Sequence, residues 1–150
     1  MKWITREHPR VDRVACPWLI ERLVDPEAEF IYAPAGEVMA FAERMKATPY
    51  DIPGVALGHH GAECSFDAFV HQFHLDQKDP AMAYMARVIR GADTADKALT
   101  PESQGIEAIL DGIRELHYPD DQAQRKASYP VLDALHAYCK SKVAQAPASN

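Results

Sequence analysis

The chain has 150 residues, 22 of them acidic and 16 basic, with a net charge of -6 and 47% hydrophobic residues, enough for one domain that buries about two thirds of its unfolded surface. The acidic balance argues against broad electrostatic binding to nucleic acid, which needs clustered Lys and Arg. Three widely spaced cysteines, Cys16, Cys64 and Cys139, fit reduced thiols better than a disulfide framework, and no leader-like apolar core or membrane span is visible, so the sequence predicts a cytoplasmic protein.

Lys2 to Thr5 alternates polar and apolar residues and reads as a short strand. Val11, Val14, Ala15, Trp18, Leu19 and Leu23 then recur at helical spacing. An interior proline costs a helix about 3 kcal/mol or more, so Pro17 places the expected helix start near Cys16-Pro17, with proline in the first turn. Cys16 at a helix N-terminus is a candidate reactive thiol, because exposed amides there lower a thiol's pKa; the alternative is a buried, inert residue. Asp25-Pro26 ends the helix, and Glu29 to Tyr32 is β-rich. Pro34-Ala35-Gly36 turns into a helix over 37–45, with Val38, Phe41, Ala42 and Met45 on one face.

Thr48 to Gly54 is proline-punctuated and extended. It leads into the run Gly58-His59-His60-Gly61-Ala62-Glu63-Cys64-Ser65-Phe66-Asp67, where five side chains able to hold a metal fall within nine residues. Ser65 is placed to cap a helix carrying Phe66, Phe69, Val70 and Phe73, with His71 and His74 riding on it. Asp79-Pro80 opens another helix, with Met82, Met85, Ala86 and Ile89 inward and Gly91 as the expected stop. Two more helices are predicted over Pro101–Leu116 and Asp120–Lys142, the second kinked or restarted at Pro130. The whole reads as an α+β fold: a mainly helical single domain over 1–143 with a small N-terminal sheet of two or three strands, then a disordered tail at 144–150.

The metal candidates are His59 and Cys64 from the central loop, with Asp67 and Asp93 to complete the set. Mixed N, S and O ligands suit zinc or iron, whereas histidine with carboxylates and no thiolate suits iron or manganese; the sequence leaves the choice open. His60 faces away from His59 in an extended loop, and His117 and His136 on amphipathic helices read as structural. Arg6, Arg13, Arg22 and Arg90 are candidate clamps for a tetrahedral oxyanion, since guanidinium offers a fixed fork of donors. The plainer role for the early arginines is pairing with Glu7, Asp12, Glu21 and Asp25, and for Asp93 it is capping the segment that follows.

Several linked motifs carry a resemblance: Arg6, Val11-Asp12-Arg13, Ala15-Cys16-Pro17-Trp18-Leu19-Ile20, Asp25-Pro26, Ala28-Glu29-Phe30, Tyr50 to Gly54, His59, Gly61, Cys64-Ser65-Phe66-Asp67 and Arg90-Gly91-Ala92-Asp93-Thr94. From about Lys2 to Cys139 the chain resembles the chromate resistance protein family, and more narrowly the C-terminal domain of the chromate-responsive regulator. The resemblance implies a bacterial stress-response protein tied to chromate, a tetrahedral dianion. In that regulator the domain follows a part associated with DNA control; nothing in this chain matches that part, so DNA binding is not expected of it.

Two functions follow as expectations. One is a sensor or detoxification module that binds a metal ion, an oxyanion such as chromate or sulfate, or both. The other is a metal-dependent enzyme, a hydrolase or redox catalyst, acting on a small anionic substrate at the His/Cys/Asp site. A duller third possibility is that the polar loops only cap helices and the protein works through a partner surface; homo-oligomer formation stays open. All of the site chemistry requires residues 59–67 and 90–94 to meet in the folded chain.

Overall fold

The computed structural model describes residues 1–145. Strand β1 (Lys2–Arg6) is followed by helix α1 (Val11–Leu19), which widens into a π-helical turn over Ile20–Val24, and then by β2 (Glu29–Ala33). A short 3-10 turn leads to α2 (Val38–Met45) and the two-residue strand β3 (Thr48–Pro49). Irregular chain then runs to α3 (Ser65–Gln72), α4 (Leu75–Lys78), α5 (Ala81–Asp93), α6 (Ser103–His117) and α7 (Asp121–Gln145). The three strands form a parallel sheet in the order β2-β1-β3. A single mainly helical α+β domain is therefore what these residues form.

The sheet is covered on both faces, as parallel sheets generally are. Trp3 and Phe30 join the large helical core with Trp18, Phe66, Phe69, Met82, Met85 and Leu132, whereas Ile4 and Ala33 join a smaller cluster with Val38 and Ala42 of α2. That alternation along β1 is the two-residue period of a strand. Phe66 and Phe69, both fully buried, fasten α3 to this core at roughly 2–3 kcal/mol each.

Helix α1 starts at Val11, five residues earlier than expected, with Pro17 inside it. Pro17 brings no N–H to the helix, and the hydrogen bonding loosens just beyond it: the Ile20 amide is shared between the Cys16 and Pro17 carbonyls, and the Asp25 amide closes a wide turn onto Ile20 at 2.6 Å. Cys16 consequently lies in mid-helix, fully buried, and the helix-end premise behind a reactive thiol is removed. Gly91 does not stop α5, which continues to Asp93. It is glycine because a Cβ there would lie 2.3 Å from Ser103 Oγ, so α5 and α6 touch at this point. The residue capping α3 is Cys64, one before the expected Ser65. Helix α7 runs through Pro130 without restarting. Of the expected tail, Ala144 and Gln145 are helical, and 146–150 lie outside the described residues.

Candidate functional site

Three separate segments bring their polar side chains to one point. The first is the end of β1 and the start of α1, supplying Arg6, Arg10, Asp12 and Arg13. The second is the irregular stretch after β3, with Asp51 and His59, and the third is the C-terminal end of α5, with Asp93. Together they line a pocket of about 220 Å³ that shares Arg6, Asp51 and His59 with a cleft of about 460 Å³ passing Ile52, Pro53 and Gly54.

The loop from 51 to 59 is tightly wound. Asp51 adopts a left-handed backbone (φ 50), its amide bonds the Leu57 carbonyl at 2.8 Å, and a Cβ on Gly58 would approach the Ile52 carbonyl to 2.9 Å. A non-glycine residue in that conformation costs about 1–3 kcal/mol and persists only where its surroundings hold it. Here the holding contact is Ser65 Oγ, which donates to Asp51 Oδ1 at 2.7 Å.

Asp12 is the most firmly placed group of the site. Its carboxylate accepts the first amides of α3, from Ser65 at 2.7 Å and Phe66 at 3.0 Å, while its own amide donates to Asp93 Oδ1 at 3.2 Å. The positive end of α3 thus faces a carboxylate that is 1% exposed. The same helix end is tied to α5 by Asp67, which accepts the Cys64 amide at 2.9 Å and a two-pronged grip from Arg90 at 2.9 and 3.0 Å. Residues 59–67 and 90–94 do converge.

At the centre, His59 Nε2 lies 3.0 Å from Asp93 Oδ2 and 3.3 Å from both Asp12 Oδ2 and Asp51 Oδ1. Ligand atoms about 2.1 Å from a zinc or first-row ion stand about 3.0 Å apart in an octahedron and about 3.4 Å apart in a tetrahedron, and the three distances from His59 fall in that range. One ligand atom each from Asp12, His59 and Asp93 lies within 4.8 Å of the others. Electrostatics agrees. Burial, with the charges of Asp12 and Asp51, pushes the Asp93 carboxyl up to about 7, and burial also raises Asp12. Hydrogen bonds to Asp12 and Asp51 push His59 up to about 10. Three carboxylates crowd one imidazole, and a proton is the only positive charge among those four groups.

Of the residues predicted from sequence, His59 and Asp93 are in the cluster, and Arg6 and Arg13 line its pocket. Cys64 and Asp67 are adjacent but turned to other partners: Cys64 Sγ is buried 3.3 Å from Asp67 Oδ2, its thiol pushed well up by burial, and Asp67 is occupied by Arg90. Cys16 Sγ lies 3.6 Å from Asp12 Oδ1, and burial raises its thiol strongly. Arg22 is elsewhere, paired with Asp133 on α7. Sequence reasoning passed over Asp12, Asp51 and Arg10. The first two were within the motifs that carried the resemblance, which was the signal available.

Residues 3–139 match the family model described as ChrB, C-terminal domain. The chain is also 35% identical over 145 residues, 93% of its length, to Protein ChrB of Cupriavidus metallidurans (strain CH34). It spans 41% of that protein's length. No solved structure matches it. Among the described residues, no helix is long and apolar enough to cross a membrane.

Proposed function

The chain belongs to the ChrB C-terminal domain family and is a chromate-resistance-associated protein, and from that premise we propose that it binds a divalent cation at Asp12, His59 and Asp93 and a tetrahedral oxyanion beside it. The observation that carries the proposal is the placement of His59 Nε2 at 3.0–3.3 Å from three carboxylates of different segments, under a rim of arginines. With one nitrogen, carboxylate oxygens and no thiolate in reach, the donor set suits manganese or iron, and zinc less well. Asp51 completes the set or holds a metal-bound water. Arg6 and Arg13 are the oxyanion donors, and Arg10 on the rim attracts it.

Sensing or sequestration needs only that both ions be held. Catalysis needs an open coordination position, and the 45% exposure of the His59 side chain beside the larger cleft supports a metal-dependent enzyme as the second reading. Elemental analysis of the purified chain, followed by calorimetric titration of manganese, ferrous iron and zinc into chelator-treated protein, tests the first step. About one equivalent of metal is expected, and it should be lost in His59→Ala and Asp93→Asn. A chain that takes up none of the three metals would end this reading.

A further inference from the structure

We propose that the cation and the oxyanion bind as a linked pair: the cation creates the anion site, and the anion then spans from the cation to Arg6 and Arg13. The inference rests on the metal reading above and adds to it an order of binding and a coupling between the two ions.

Both signs of charge line one small pocket. Asp12, Asp51 and Asp93 converge on His59 at 3.0–3.3 Å, and Arg6, Arg10 and Arg13 stand around them. In the metal-free pocket of about 220 Å³ the three carboxylates face His59 and the three arginines, so a dianion finds donors and competing carboxylates side by side. A bound dication occupies the carboxylates, frees the arginines from competing with them and offers the anion a point of attachment, so the anion is held more tightly.

The arginines are only partly engaged. Arg6 reaches the Asp51 carbonyl with one Nη at 3.5 Å, and its Nε is buried without a hydrogen-bond partner. Arg13 Nε stands 3.8 Å from Asp51 Oδ2, beyond hydrogen-bond reach, and its side chain is 14% exposed. Buried donors without acceptors are uncommon in folded proteins, and an oxyanion would supply the missing oxygens. Arg90, by contrast, has both prongs on Asp67, and Arg22 has both on Asp133. At the site, then, Arg6 keeps a buried donor with no acceptor and Arg13 makes no close hydrogen bond, beside the converging carboxylates.

Coupling between two bound ligands is reciprocal, which makes it measurable from either side. Sulfate and molybdate, tetrahedral dianions that do not oxidise the protein, are titrated calorimetrically into the full chain after chelation and again after loading with manganese. Anion affinity is expected to rise about tenfold or more with manganese bound, within the usual span of coupled sites, and manganese affinity should rise by the same factor at saturating anion. Arg6→Gln should abolish the anion effect, and Arg22→Gln should retain it. The wild-type linkage decides the matter even if Arg6→Gln proves unfolded by circular dichroism. Manganese uptake with equal anion affinity in both forms, or with no anion binding at all, overturns the pairing and leaves the metal reading standing. Absence of manganese uptake overturns both.

Discussion

His59 and His136 both face carboxylates, yet their surroundings differ in kind. His136 on α7 meets one carboxylate, Asp79 at 2.7 Å, which Lys140 approaches to 3.9 Å, and its ring stands edge-on to Trp18 at 5.3 Å between ring centres. Burial pushes the Asp79 carboxyl up, but His136, the Ala81 amide and Lys140 outweigh it and hold that carboxyl below its usual range. Around His59 the balance runs the other way, and Asp93 rises to about 7. One cluster is satisfied by its own side chains and locks the start of α5 to α7. The other crowds three carboxylates onto one imidazole, with Arg13 no nearer than 3.8 Å to Asp51, and that crowding is what the proposed cation would relieve.

Removing Asp12 should break the contrast most severely. Asp12→Ala strands the Ser65 and Phe66 amides, each at about 1–3 kcal/mol, and deletes a proposed ligand. The expected outcome is a melting temperature lower by at least about 5 °C, together with loss of metal uptake, checked by calorimetry and elemental analysis.

The pH dependence of the metal-free chain should come next. Asp93 titrates at about 7 in the folded chain against 3.8 for the ordinary group, so its contribution is present at low pH and is lost as pH rises through about 7. His59 rises from 6.5 to about 10, so its stabilising pairing is fully present below 6.5 and is lost as pH climbs through about 10. Both act in one direction, and the melting temperature of chelated protein should fall from pH 5 to pH 9. Manganese should reverse that slope, since it binds the deprotonated ligands. A chelated chain that melts higher at pH 9 than at pH 5 would contradict the crowding of these carboxylates around His59.

Effects at the second cluster should be smaller and confined to stability. His136→Ala breaks the bond to Asp79 and is expected to cost about 1–2 kcal/mol in denaturant melts, with metal uptake unchanged. Smallest of all is Arg22→Gln. Arg22 and Asp133 are 42% and 47% exposed, and the loss should be less than about 1 kcal/mol.

Much of the fold was legible because it is written in local periodicity. The helices over 65–72, 103–117 and 121–145 follow their apolar spacing, and β1 and β2 follow theirs. Pro17 misled because neighbouring core contacts hold the helix through it, and Gly91 misled because a glycine needed for contact with Ser103 looks in sequence like a helix stop. At the site, the density of ligand types around His59 was visible, and the convergence with Asp93 was required from the outset. Asp12 was hidden by distance along the chain, 47 residues from His59, and only the folding of α1 against α3 brings it there; Asp51, 8 residues away, was hidden by its place in a stretch that reads as extended, whereas the chain winds back there to bring it to His59.

The hold on Asp12 by residues 65 and 66 comes from the backbone. Every amino acid except proline brings the same N–H, so the bonds to Asp12 do not depend on the side chains at 65 and 66, although the buried Ser65 hydroxyl is still needed for Asp51, and proline at either position would withdraw a donor. The aim of this carboxylate is thus inherited from where a helix begins, while the aim of Asp51 hangs on a single hydroxyl.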